Sequence, residues 1–143
     1  MKVIYGFGKT KLNFSYPVVA IGIFDGLHRD HQTLIKQLVK RARSVKGQAI
    51  VLTFYPHPVH VLHPEVYLPY IISLSYRLKL LQDLGVDVCI VGKFTKAFSH
   101  LTPDEFVLKY LVRRIQVKEV FVGDDFRFGV HREGNSVLFS EMA

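Results

Sequence analysis

The stretch Pro17-Val18-Val19-Ala20-Ile21-Gly22-Ile23-Phe24-Asp25-Gly26 decides the fold. Its apolar, β-branched run from Pro17 to Phe24 lacks polar alternation, the pattern of a strand covered on both faces. Asp25-Gly26 ends it. Downstream, Leu34, Ile35, Leu38, Val39, Ala42 and Val45 recur at helical spacing between lysines and arginines, so Gln32 to Lys46 is predicted as an amphipathic helix stopped by Gly47. Ala49 to Phe54 repeats the strand pattern, and Pro56-His57-Pro58 stops it because proline cannot donate to a ladder. A long loop is expected through Tyr70. Ser73 can cap a second helix carrying Leu74, Leu78, Leu80, Leu81 and Leu84, with Gly85 as its stop. Val86 to Val91 reads as a third strand. Thr102-Pro103-Asp104-Glu105 is a capping box that opens a helix through about Arg114, and Glu119 to Val122 is a fourth strand. Gly123 to Ser140 reads as loop and short hairpin, while Lys2 to Phe14 carries no decisive pattern.

Strands alternating with helices at these lengths imply a parallel sheet covered on both faces, a doubly wound α/β architecture. The 143 residues suit one domain, 1–143. Cys89 is the only cysteine, which excludes an internal disulfide and any multi-cysteine metal site and fits a reducing compartment. No apolar stretch approaches the roughly 20 residues of a membrane span, and the start lacks a signal-peptide core, so a soluble, cytoplasmic protein is expected. A net charge of +7 favours anionic partners. The cations are scattered, with clusters only at Lys36 to Lys46 and at Arg113 and Arg114, which reads as solvated helix faces more than as a nucleic-acid surface.

Doubly wound sheets bind ligands beyond the carboxyl ends of their strands. The first such exit runs Gly22 to His31 and leads directly into a helix, with His28 and His31 three residues apart at its N-terminus. That end of a helix attracts phosphate through its outward N–H groups and dipole, and imidazoles there can stabilise charge on a phosphoryl group. Two surface histidines on a turn remain the competing reading.

The run GIFDGLHRDHQTLI resembles the signature of the nucleotidyltransferase superfamily, whose H-x-G-H motif follows the first strand of a Rossmann-like sheet. TFYPHP at Thr53 to Pro58, FTKAFSHLTPDEFV at Phe94 to Val107 and VGDDFRFG at Val122 to Gly129 narrow the match. In this order they resemble the N-terminal adenylyltransferase module of bacterial FAD synthetases, which pair riboflavin kinase with FMN adenylyltransferase. The resemblance implies transfer of AMP from ATP to FMN, giving FAD and pyrophosphate with Mg2+, by in-line attack without a covalent enzyme intermediate. It implies His28 and His31 at the ATP phosphates, and Gly22, Phe24, Asp25, Gly26 and Gly123 lining the nucleotide site. Phe54, Pro56 and Pro58 correspond to the flavin-side wall, with Asp125, Phe126, Arg127 and Phe128 between the substrates and Phe106 and Tyr110 bordering the flavin. A core role for Phe54, Phe106 and Tyr110, and a plain surface role for Arg127, stand beside those assignments.

Other patterns fall away. Gly8-Lys9-Thr10 imitates the end of a P-loop, but the earlier glycine would fall at Val3. His57, His60 and His63 read as structural or solvent-exposed, and Cys89 as a packing residue. No protein ligand for a metal is assigned. Two departures from the family pattern bear on activity. Asp30 stands where the family has glycine, placing a negative charge near the expected phosphates. The family's Ser/Thr-Arg motif and its riboflavin kinase module would both follow residue 143. The expectation is therefore a weakly active or inactive adenylyltransferase as given. The alternatives are a catalytically impaired nucleotide- or flavin-binding module, and a related transferase with another acceptor.

Overall fold

The computed structural model describes residues 1–8, 12–27, 29–56, 58–67, 69–70 and 72–122. Among these, five strands form one all-parallel sheet in the order β1-β4-β3-β2-β5. The strands are β1 (Lys2–Tyr5), β2 (Pro17–Ile21), β3 (Gln48–Tyr55), β4 (Val88–Lys93) and β5 (Glu119–Val122). The helices α1 (Arg29–Ser44), α2 (Pro58–Leu62), α3 (Leu74–Asp83), α4 (Lys96–Ser99) and α5 (Pro103–Phe106) connect them. This is the doubly wound, Rossmann-like arrangement the apolar runs imply.

Successive side chains of a strand point to opposite faces, and β2 divides its residues accordingly. Val18 and Ala20 pack in one cluster with Ile35, Leu38 and Ala42 of α1 and Leu81 of α3. Val19 and Ile21 pack in the other with Phe106, Leu111 and Ile115. Every residue of β2 is buried, as an unalternating run requires.

The chain lays down β2, β3 and β4 in one direction and then returns to place β5 on the other side of β2. Its order reverses there, so the crevice favoured for ligands opens beyond β2 and β5.

Several boundaries differ from expectation. β2 ends at Ile21, before Phe24, because Phe24 takes a left-handed φ of 57° that no strand accommodates. β1 is a fifth strand from the undecided N-terminal region. The loop after β3 contains α2, with Pro58 as its first residue, where a missing N–H costs nothing. The expected helix through Arg114 is one α-turn, α5, continued by a π-helix over Val107–Ile115. Its buried residues Phe106, Leu111 and Ile115 begin with a five-residue step, and the N–H of Gln116 donates to the Leu111 carbonyl, the wider π repeat.

Candidate active site

The exit of β2 is held in a sharp, strained turn. Phe24 and Leu27 both have positive φ, 57° and 42°, with Gly26 at 94° between them. Such backbone costs of order 1–3 kcal/mol for each non-glycine residue and persists where the surroundings over-determine it. Both side chains are 2% exposed, and their burial supplies that restraint. The Phe24 ring folds back over Gly22, where a Cβ would come within 2.7 Å of Phe24 Cζ. Gly22 thus admits the ring. The Phe24 side chain belongs to the core, which leaves only its backbone at the turn.

Helix α1 starts immediately beyond, and Gln32 Nε2 donates to the Leu27 carbonyl at 2.9 Å, tying turn to helix. His31 lies half-buried in the first turn, its ring meeting the Phe24 ring edge-on at 5.2 Å. Asp25 and Gly26 are half-buried and Asp30 is exposed. His28 lies outside the described residues.

Beneath this turn sits a polar group that sequence reasoning missed. Arg77 of α3 and Thr53 of β3 are fully buried. Thr53 Oγ1 donates to the Ile23 carbonyl at 2.8 Å, and Arg77 Nη1 donates to the same carbonyl at 3.0 Å. Asp25 accepts the Ile72 N–H at 3.3 Å, just before the Ser73 cap of α3. Burial pushes the Arg77 pKa down, and the Asp25 carboxylate opposes that push. The signal was available: Arg77 is three residues after Leu74 and four before Leu81, on their helix face.

The exit of β3 is aromatic instead. Phe54 is 3% exposed, its ring 5.3 Å from Phe98 and 6.5 Å from Phe106, which is itself buried. Tyr110 is half-buried against Phe7 at 4.3 Å. At the rim, Tyr55 stacks on Tyr70 at 5.4 Å and the His60 ring meets Tyr70 edge-on at 4.7 Å. Pro56 and Pro58 are half-buried between strand and α2. The residues expected along the flavin therefore divide: the rings of Phe54 and Phe106 lie in the core, while Tyr110 and the prolines reach the surface. Gly123, Asp125, Phe126, Arg127 and Phe128 lie outside the described residues.

Elsewhere His63 Nδ1 lies 3.5 Å from Glu65 Oε1, and His57 lies outside the described residues. Burial pushes the Cys89 thiol up to about 12, so it stays protonated and unreactive at neutral pH. An open groove of about 490 Å³ lies along Leu101, Glu105, Leu108, Lys109, Arg113 and Arg114, and no residue of the β2 or β3 exit lines it. Among the described residues no helix is long and apolar enough to cross a membrane.

Comparison with known proteins agrees with this architecture. A crystal structure of a macrolide-efflux protein from Streptococcus pneumoniae aligns over 100% of this chain and 47% of its own, with a TM-score of 0.85 and 27% identity. Three bifunctional riboflavin kinase/FMN adenylyltransferases are similar in sequence. That of Listeria monocytogenes is 42% identical, over 88% of this chain and 40% of its own length. That of Escherichia coli K12 is 35% identical over 87% and 40%, and that of Buchnera aphidicola from Schizaphis graminum 32% over 99% and 46%. The chain spans less than half the length of these relatives. The FAD synthetase family model matches residues 11–143, and the chain belongs to the FAD synthetase family.

Proposed function

We propose that the chain transfers AMP from ATP to FMN, giving FAD and pyrophosphate, in the cytoplasm. The observation that carries the reading is the β2-to-α1 turn. A buried, strained loop delivers half-buried His31 and the first turn of α1 to the point where the strand order reverses.

In this reading the ATP phosphates lie across the start of α1, where outward N–H groups and the helix dipole favour negative charge. A phosphate oxygen of FMN attacks the α-phosphorus in line, the bond to the bridging α–β oxygen breaks, and pyrophosphate leaves with its electron pair. His31, with His28, donates hydrogen bonds to the phosphate oxygens as charge shifts onto the leaving group. Gly22, Phe24, Asp25, Gly26 and Gly123 line the nucleotide side. Pro56, Pro58, Tyr110, Asp125, Phe126, Arg127 and Phe128 contact flavin, with Phe54 and Phe106 backing that wall from the core. The aromatic rim at Tyr55 and Tyr70 supports a planar acceptor there.

Mg2+ fits as an ion carried by the substrate. Among the described residues no three His, Cys, Asp or Glu side chains gather as a resident site, and the carboxylates at the β2 exit are Asp25 and Asp30. When bound, the ion neutralises charge on the phosphates. The relatives' name joins this activity to riboflavin kinase, and a kinase module is proposed as the natural companion that would supply FMN.

The test is FAD formation from FMN and ATP with magnesium, followed by chromatography. His31→Ala is expected to lower the rate about a hundredfold at unchanged thermal stability. An unchanged rate would remove His31 from the reaction.

A further inference from the structure

Arg77 is the one Lys or Arg with a fully buried side chain among the described residues, and its hydrogen bonding is lopsided. Nη1 alone donates, to the Ile23 carbonyl at 3.0 Å and to Thr53 Oγ1 at 3.3 Å. Nε and Nη2 are buried with no hydrogen-bond partner among the described residues. As a device for stability this is poor, because idle buried donors and a desolvated cation both carry a cost that an apolar side chain would avoid. As a device for geometry it is well placed. The carbonyl it holds belongs to the peptide plane that enters Phe24, and the orientation of that plane decides whether the chain can turn into the left-handed region there.

We propose that Arg77 is a positioning residue for the nucleotide half of the site. Together with Thr53 it clamps the Ile23 carbonyl from behind, which sets the turn at Phe24 and so the placing of Asp25, Gly26 and His31 toward the polyphosphate. This rests on the proposed function in taking that polyphosphate to be ATP. The acceptor side at Tyr55 and Tyr70 is held by ring contacts, and the clamp's hydrogen bonds run to the Ile23 carbonyl and the Thr53 hydroxyl, not to those rings.

The experiment measures ATP and FMN binding separately by calorimetry, with magnesium, in the unsubstituted chain, Arg77→Met, Arg77→Lys and Thr53→Val. A merely structural role would lower the folded fraction and thus the stoichiometry for both ligands, leaving each Kd where it was. The clamp predicts selectivity. Arg77→Met should weaken ATP about tenfold and FMN less than about threefold, with stability unchanged or higher. Arg77→Lys should restore ATP affinity to within about threefold, since one ammonium replaces the one working nitrogen and leaves fewer idle donors. Thr53→Val, which keeps the shape and loses the hydroxyl, should weaken ATP about threefold, and it decides the matter with Arg77→Lys if Arg77→Met does not fold. Unchanged ATP affinity in folded Arg77→Met, or equal weakening of both ligands, overturns the proposal. An unsubstituted chain that binds neither ligand overturns the proposed function itself, and the clamp's role with it.

Discussion

The two ends of the sheet are built on opposite terms. At the amino ends of the strands, polar groups meet matched partners. Asp87 accepts the Ala49 N–H at 2.7 Å and both Nη atoms of Arg43 at 2.8 and 2.9 Å, and Arg43 also reaches the Gly85 carbonyl. Glu119 accepts two hydrogen bonds from Arg41 and one from Tyr16. Both arginines sit in the last turn of α1, where cations suit the dipole. Left-handed non-glycine backbone occurs at both ends, at exposed Tyr16, Lys46 and Gln116 ahead of the strands and at buried Phe24 and Leu27 beyond β2, but at the carboxyl end a buried cation also keeps two donors idle. Polar groups fully paired at one end and left idle beneath the turn at the other show that stability alone does not account for the residues at the β2 exit.

The largest effect that would break this contrast is at Phe24. If ring burial holds the turn, Phe24→Ala should cost about 3–5 kcal/mol in urea denaturation. A cost near zero would mean that the turn is not held by its ring. The amino end should answer to pH. Burial raises the Asp87 pKa, but the Arg43 and Ala49 hydrogen bonds and the Arg43 charge outweigh it, so the net shift is downward. A depressed folded pKa gives stability that is complete above the unfolded value near about 4 and is lost as pH falls through the folded value. Asp87→Asn should flatten that acid limb and cost about 1 kcal/mol at neutral pH, a small figure because Arg43 is half exposed. The smallest effect is expected at Asp30. Its carboxylate is exposed, so solvent screens it from the polyphosphate, and Asp30→Gly should change ATP affinity by less than about threefold. A tenfold gain would restore the view that this aspartate disables the site.

Much of the fold was legible because buried parallel strands are written as apolar runs, as in β2, in Ala49 to Leu52 of β3 and in Val88 to Val91 of β4. β1 was not, since Lys2–Tyr5 is a four-residue edge strand with both ends exposed. The π-helix was read as ordinary helix because apolar spacings of three, four and five overlap in so short a segment. At the β2 exit, the turn and the place of His31 at the start of α1 follow from the sequence, whereas Arg77 does not stand out there, because a long cationic side chain usually lies along a wet face. Thr53 carries no cue of its own within TFYPHP, since a threonine in a strand is unexceptional by propensity. For Phe54 and Phe106 the sequence leaves a flavin-wall role and a core role side by side, because aromatic residues near a site and beneath it look alike until the rings are placed, and here both rings are buried.

The sheet order also fixes a sequence of events at the ribosome. Lys2 pairs with Val88, so β1 must wait, its ladder groups served by water, until the nascent chain has delivered β4. β2 and β3 can zip earlier, because Pro17 pairs with Gln48. Of these five strands the first made is thus among the later ones to dock, and it covers the β4 edge that the growing polypeptide would otherwise leave sticky.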